Sequence, residues 1–148
     1  MVKAVGDRVL LPLDFDVAGL ERDLEALSLR HDFVYYDVAM LTVPEPREDV
    51  TDPNYADGSW ATWIDGPWLL SSPAMLDVVE FFRARTTVTL VRLLRLAPGA
   101  HLAEHVDPTI GLEVEDSIVR LHVPVVTDAD VDFVLNGERV EMSPGQCW

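Results

Sequence analysis

Two residues separated by a single position, His105 and Asp107, have the side chains best suited to metal chemistry. In an extended segment, residues i and i+2 lie on the same face, so both side chains point to one side. An imidazole and a carboxylate on one face are two of the three ligands of a non-haem Fe(II) oxygenase site. His105 and Asp107 are therefore candidate iron ligands. The alternative is ordinary: Asp107 before Pro108 starts a turn and His105 is a surface residue.

A second pair with chemical potential, Arg120 and His122, lies in the apolar segment that follows. If this segment is a strand, both side chains share a face. A guanidinium and an imidazole inside a barrel would hold the carboxylate of an anionic cosubstrate. The alternative is that both residues point outward and pair with some of the many acidic side chains.

The elements around these residues predict a mainly β fold. Asn136-Gly137 between two apolar runs is typical of a two-residue hairpin. Short strands with turns about every ten residues favour an antiparallel sandwich or jelly roll. The predicted strands are Thr87–Leu96, Ser117–Thr127, Val131–Leu135 and Glu138–Met142, with turns at Asp128–Asp130 and Ser143–Gly145, and another strand beginning at Gln146.

Helices are predicted in the first half, where they would flank the β structure. After a strand at Arg8–Phe15, Asp16 is a suitable N-cap for a helix that runs to Arg30. Ser72-Pro73 starts a second helix, which ends near Arg85. The first helix has an apolar face of Val17, Leu20, Leu24 and Leu27, with Glu21, Asp23 and Glu25 on its remaining surface; Met75, Val79 and Phe82 form the stripe of the second.

Aromatic residues dominate the region between these helices. Phe33–Val43 is rich in aromatic and β-branched residues and predicts a strand. Pro44–Asn54 contains several prolines and acids and predicts a loop. Three tryptophans follow, and they form either part of the core or the wall of a pocket: Trp60, Trp63 and Trp68.

The amino-acid composition limits the kinds of partner and the cellular location that are expected for this chain. The formal net charge of −15 disfavours nucleic acid and anionic membrane surfaces as partners. The single cysteine, Cys147, excludes an intrachain disulfide, which fits a reducing cytoplasm. No signal peptide is recognisable at the N-terminus and no segment is long and apolar enough to span a bilayer, so a cytoplasmic location is expected.

Taken together and in order, several segments resemble the aspartyl/asparaginyl β-hydroxylase family of Fe(II)/2-oxoglutarate oxygenases. The resemblance covers roughly residues 88–148 and is vaguer from Trp60 onward. Each motif is weak alone, but their order and spacing are specific. The matching motifs are Arg95-Leu-Ala-Pro-Gly-Ala100, His105-x-Asp107, Arg120-Leu-His-Val-Pro124 and Met142-Ser-Pro-Gly-Gln-Cys-Trp148.

The resemblance implies a double-stranded β-helix, also called a jelly roll or cupin-like fold, with iron in its mouth. It makes His105 and Asp107 metal ligands, with no further catalytic residue, and it makes Arg120 and His122 partners of a 2-oxoglutarate carboxylate. The implied reaction hydroxylates an amino acid or a peptidyl residue of the Asp, Asn or Pro type, supplied as a small molecule, peptide or protein, and releases succinate and CO₂. Trp60 and Trp63 would then line the substrate pocket.

The family also has a second histidine ligand and an arginine for the far carboxylate, which the resemblance puts beyond Trp148. Residues 1–148 are therefore expected to be one oxygenase-like domain without its C-terminal strands. One alternative is a non-catalytic jelly-roll binding module with an incomplete metal site. A cupin-like enzyme with another metal set ranks last, because it needs many histidines and the chain has four. Substrate identity and oligomeric state stay open.

Overall fold

The computed structural model describes residues 6–29, 36–45, 61–107 and 118–148. Trp60 and most of the loop predicted at Pro44–Asn54 lie outside these ranges. Within them, no helix has the length and apolar character needed to cross a lipid bilayer.

The first elements are a short strand and an amphipathic helix. β1 comprises Leu11–Asp14 and α1 comprises Val17–Ala26. Asp16 occupies the N-cap position as predicted, although its side chain makes no capping hydrogen bond. The predicted apolar face is confirmed, since Leu20 is buried in the core. The helix ends before the expected Arg30, because the backbone of Leu27 is already extended.

The sequence predicts that Asp23 lies on the exposed face of α1, and this prediction is wrong. It is buried, with 7% of its surface exposed. Its Oδ2 accepts a hydrogen bond of 2.9 Å from the backbone N–H of Met75, in the first turn of the next long helix. The first N–H groups of a helix have no partner within the helix, so a carboxylate from a neighbouring element can cap them.

That next long helix, α3, comprises Pro73–Arg83 and follows the single turn of α2, Pro67–Leu70. Ser72 precedes it, with Pro73 at the first helical position, as predicted. The Ser72 side chain makes no capping hydrogen bond, and Asp23 instead accepts the Met75 N–H. The core cluster joins the helices to one face of the β structure: Leu20, Leu41, Leu69, Met75 and Val79 are buried, with Leu93, Val123 and Val125 among the residues packed against them.

The predicted strand Phe33–Val43 is interrupted at Leu41. β2 comprises Tyr36–Met40 and β3 comprises Thr42–Glu45. Pro44, predicted to begin a loop, lies within β3 and pairs with Trp63 of β4, Thr62–Asp65. β2 pairs antiparallel with β5, Arg92–Leu96, in an unbroken register from Tyr36 opposite Leu96 to Met40 opposite Arg92. The predicted strand Thr87–Leu96 is therefore confirmed only from Arg92 onward.

The C-terminal part is built from short hairpins. β6, Val134–Leu135, pairs with β7, Glu138–Arg139. Asn136 and Gly137 connect them with φ of 49° and 78°, which confirms the predicted two-residue turn. β8, Gln146–Cys147, pairs with β1.

The predicted strand Ser117–Thr127 is more irregular than expected. Its described part contains a single bridge residue, Ile118. Two backbone hydrogen bonds nevertheless connect His122 with Trp148, at 2.9 and 3.0 Å, and the Gly145 N–H donates to Pro124. The described residues thus form four two-stranded sheets with helices packed against them, a β-rich arrangement with flanking helices.

Candidate functional site

The segment that carries His105 and Asp107 starts from a tight turn at the end of β5. The Ala100 N–H donates to the Ala97 carbonyl oxygen at 3.0 Å, and Gly99 between them has a φ of 74°. Pro98 followed by a glycine at positive φ is typical of a type II turn. Residues 101–107 then continue without regular secondary structure.

The side chains of His105 and Asp107 face each other. The Nε2 atom of His105 lies 4.0 Å from Oδ1 of Asp107. The Nδ1 atom of His105 lies 2.9 Å from the carbonyl oxygen of Ala103. Because a carbonyl oxygen only accepts, Nδ1 carries the hydrogen in the neutral ring and Nε2 keeps a lone pair. The lone pair is therefore on the nitrogen nearest the carboxylate, as a metal ligand requires.

Arg120 holds the other oxygen of the same carboxylate. Its Nη1 donates to Asp107 Oδ2 at 2.7 Å, and both side chains are a little over one-third exposed. The two oxygens of Asp107 thus have different partners: one faces His105 and the other is fixed by the guanidinium. A charge-assisted bond of this kind restricts the rotation of the carboxylate.

His122 follows Arg120 by two residues and is less exposed than Arg120. Its ring packs edge-on against Phe133, with the centroids 5.7 Å apart. Burial lowers the pKa of His122 below its ordinary value, and the nearby guanidiniums of Arg120 and Arg92 lower it further, against the opposing effect of Asp107. The ring is therefore neutral at pH 7, and it provides a hydrogen-bonding group without adding charge.

Two further residues belong to this region although the sequence did not single them out, Tyr36 of β2 and Arg92 of β5. Burial raises the pKa of the Tyr36 phenol, while Arg92 and Arg120 act in the opposite direction. Burial lowers the pKa of the Arg92 guanidinium, and Arg120 acts in the same direction, against the opposing effects of Tyr36 and Asp107. We call the five side chains the polar cluster: Tyr36, Arg92, Asp107, Arg120 and His122.

The donor atoms of His105 and Asp107 fit part of a metal site. With metal–ligand bonds of about 2.1 Å, adjacent ligand atoms lie about 3 Å apart. The 4.0 Å between Nε2 and Oδ1 exceeds that separation by about 1 Å. Both side chains are partly exposed and lie in an irregular segment. In the described parts of the chain, no group of three His, Cys, Asp or Glu side chains converges on one point. The pair therefore fits as two ligands of an ion that needs a third from elsewhere.

Of the two residues predicted to line a substrate pocket, Trp60 and Trp63, only Trp63 lies within the described residues. Trp63 is half-buried on β4, opposite Pro44. Trp60 lies outside the described residues. Trp68, on α2, is 37% exposed and is therefore not a core residue.

Comparison with known proteins identifies the class to which this fold and site belong. Residues 57–148 match the family described as Aspartyl/Asparaginyl beta-hydroxylase. The match covers more than half of the chain and includes every described residue of the site except Tyr36. The chain belongs to the aspartyl/asparaginyl β-hydroxylase family. No curated protein and no solved structure matches it significantly.

Proposed function

We propose that this chain is an Fe(II)- and 2-oxoglutarate-dependent dioxygenase that hydroxylates an amino acid or a peptidyl residue of the Asp, Asn or Pro type. One observation carries the proposal. His105 Nε2 faces Asp107 Oδ1, while the remaining polar atom of each side chain is held by Ala103 or Arg120. Membership of a hydroxylase family supports the same conclusion.

In this proposal His105 and Asp107 hold Fe(II), and Arg120 with His122 binds a carboxylate of 2-oxoglutarate. When bound, the iron and 2-oxoglutarate supply the activation of O₂ that inserts one oxygen atom into a substrate C–H bond, with succinate and CO₂ as products. The overall architecture proposed is a double-stranded β-helix, which the short antiparallel pairs support. Trp60 and Trp63 are proposed to line the substrate pocket.

The protein's own contribution is orientation and charge. Arg120 fixes one carboxylate oxygen of Asp107, which keeps the other turned toward His105. His122 is neutral, so it donates a hydrogen bond to an anion while the guanidinium supplies the charge. Phe133 packs against the His122 ring, and the burial of this ring favours its neutral form.

An anaerobic titration of Fe(II) into the protein with 2-oxoglutarate tests the proposal. We expect a weak charge-transfer band in the visible spectrum, because 2-oxoglutarate coordinates the bound iron. Asp107→Ala is expected to remove the band. The matched control is Asp132→Ala, since Asp132 is an exposed carboxylate that pairs with Arg139 on the hairpin. Absence of a band in the wild-type protein, or an unchanged band in Asp107→Ala, would contradict the proposal.

A non-catalytic binding module is the second candidate. It is favoured by one observation, that no third metal ligand joins His105 and Asp107 among the described residues. The two candidates give different results in one further assay. A dioxygenase releases succinate from 2-oxoglutarate in the presence of Fe(II) and O₂, and His105→Ala abolishes this release, whereas a binding module releases none.

A further inference from the structure

The side chain of Gln146 holds two groups of the C-terminal segment with one oxygen atom. Its Oε1 accepts a hydrogen bond of 2.9 Å from the backbone N–H of Ser143. The same oxygen accepts a second hydrogen bond, of 3.1 Å, from the indole Nε1–H of Trp148. Because both partners are donors, the oxygen of the amide and not its nitrogen must face them, and both of its lone pairs are used. The orientation of the Trp148 ring is therefore set by Gln146.

Trp148 lies directly opposite His122. The His122 N–H donates to the Trp148 carbonyl oxygen at 2.9 Å, and the Trp148 N–H donates to the His122 carbonyl oxygen at 3.0 Å. Two residues that exchange both backbone hydrogen bonds form an antiparallel pair, with their Cα atoms about 5.5 Å apart and their side chains on one face. The indole of Trp148 is therefore a neighbour of the imidazole that the candidate site uses.

The side of the chain that carries Gln146 and Trp148 faces away from the core. Cys147 lies between these two residues and is fully buried, whereas both of them are partly exposed. His122 is also partly exposed, while its neighbour Val123 packs against the core cluster. The pair of His122 and Trp148 thus presents an imidazole and an indole together on the outer side, where a bound molecule can reach both.

We propose that Gln146 is a positioning residue of the cosubstrate site, because it holds the Trp148 indole beside His122, where the ring forms one wall around bound 2-oxoglutarate. This inference rests on the proposed function, in which Arg120 and His122 bind a carboxylate of 2-oxoglutarate. The indole supplies an apolar surface for the hydrocarbon part of that molecule. It also keeps water from the carboxylate, which strengthens the interaction of the carboxylate with the guanidinium.

The indole signals of the wild-type protein test the place of Trp148. The full chain is loaded with Zn(II), which has no redox chemistry, and its proton–nitrogen correlation NMR spectrum is recorded with and without 2-oxoglutarate. The chain has four tryptophans, and Trp148→Phe and Trp68→Phe assign two of the indole signals by their loss. We expect 2-oxoglutarate to shift the Trp148 signal clearly more than that of Trp68, which lies on α2.

A double-mutant cycle tests whether Gln146 acts through Trp148. Gln146→Met keeps the approximate length of the side chain but lacks the amide oxygen, and we expect it to weaken 2-oxoglutarate binding roughly fivefold in calorimetry on the Zn(II)-loaded chain. In the Trp148→Phe background, which has no indole N–H, the same substitution should change the affinity by less than about twofold. Trp68→Phe is the matched control, and in its background Gln146→Met should keep its full effect.

The possible failures can be told apart. If 2-oxoglutarate does not bind the wild-type protein, the proposed function fails and the inference fails with it. If 2-oxoglutarate binds but shifts the Trp148 signal no more than that of Trp68, the inference alone is overturned, and this result needs no variant of Gln146. The inference is also overturned if Gln146→Met leaves the affinity unchanged, or weakens it equally with and without the indole, because Gln146 would then act through Ser143. Melting temperatures establish that each variant is folded.

Discussion

Replacing Asp23 by alanine is expected to destabilise the fold although the residue lies far along the sequence from the candidate site. Asp23 Oδ2 accepts the Met75 N–H at 2.9 Å, and this hydrogen bond joins α1 to the first turn of α3. Both helices contribute to the core against which Leu93 and Val123 pack. The capping bond therefore supports the helices against which Leu93 of β5 and Val123 pack.

The expected loss follows from two contributions. Removing an N-cap acceptor costs about 0.5–2 kcal/mol in proteins. The Met75 N–H is buried, so leaving it without a partner costs about 1–3 kcal/mol. This cost overlaps with the loss of the N-cap acceptor, so the two values are not added. Burial of the smaller alanine offsets some of this, since a buried carboxylate also loses its hydration. We expect Asp23→Ala to lower the free energy of unfolding by about 2 kcal/mol.

Urea denaturation followed by tryptophan fluorescence measures this change, and Asp23→Asn is the matched variant. The asparagine carbonyl oxygen still accepts the Met75 N–H but has no charge. The decrease in the free energy of unfolding should therefore be less than half as large in Asp23→Asn as in Asp23→Ala. Glu21→Ala on the exposed face of α1 should change the free energy by less than about 0.5 kcal/mol. Equal losses in Asp23→Asn and Asp23→Ala, or a loss in Asp23→Ala no larger than in Glu21→Ala, would refute the capping argument.

Two further predictions concern a turn and a titrating ring. Gly145→Ala should lower the free energy of unfolding by about 2–4 kcal/mol, because φ is 81° and a Cβ would lie 2.9 Å from the Phe15 carbonyl oxygen. Gly99 has a φ of 74° and open space around it, so Gly99→Ala should cost about 1 kcal/mol. Comparable losses of the two variants in urea denaturation would contradict this prediction. Folding lowers the pKa of His122. Below about pH 6.5 this residue therefore binds more protons in the unfolded chain than in the folded chain, and the free energy of unfolding decreases as pH falls. The free energy of unfolding of wild type minus that of His122→Gln should therefore decrease between about pH 7 and 5, and a difference constant with pH would exclude this linkage.

Local signals in the sequence predicted local structure well. The Asn136-Gly137 turn follows from the φ values these residues tolerate, and the structure has them at 49° and 78°. The position of Ser72-Pro73 at the start of α3 follows from the fixed φ of proline and its missing N–H. Such preferences act within a few residues, so they can be deduced without knowledge of the rest of the fold.

The errors arise where distant segments meet. Asp23 looks like a surface carboxylate until α3 is brought beside it, and Pro44 looks like a loop residue until β4 pairs with β3. Arg92 and Arg120 both influence the pKa of His122, although Arg92 lies in a separate part of the sequence. Such proximity depends on how distant segments fold together, so a short stretch of sequence does not predict it, whereas the spacing of His105 and Asp107 is a local feature of the sequence.

The segment around His122, which is hydrogen-bonded to Trp148, is sensitive to a change in its length. Arg120 and His122 belong to the site, while Val123 and Val125, on alternate positions, pack against the core. A one-residue deletion or insertion here would turn the valines toward the candidate site and Arg120 toward the core. A point substitution changes one of these two sets of side chains, whereas a one-residue change in the length of the segment displaces both sets together.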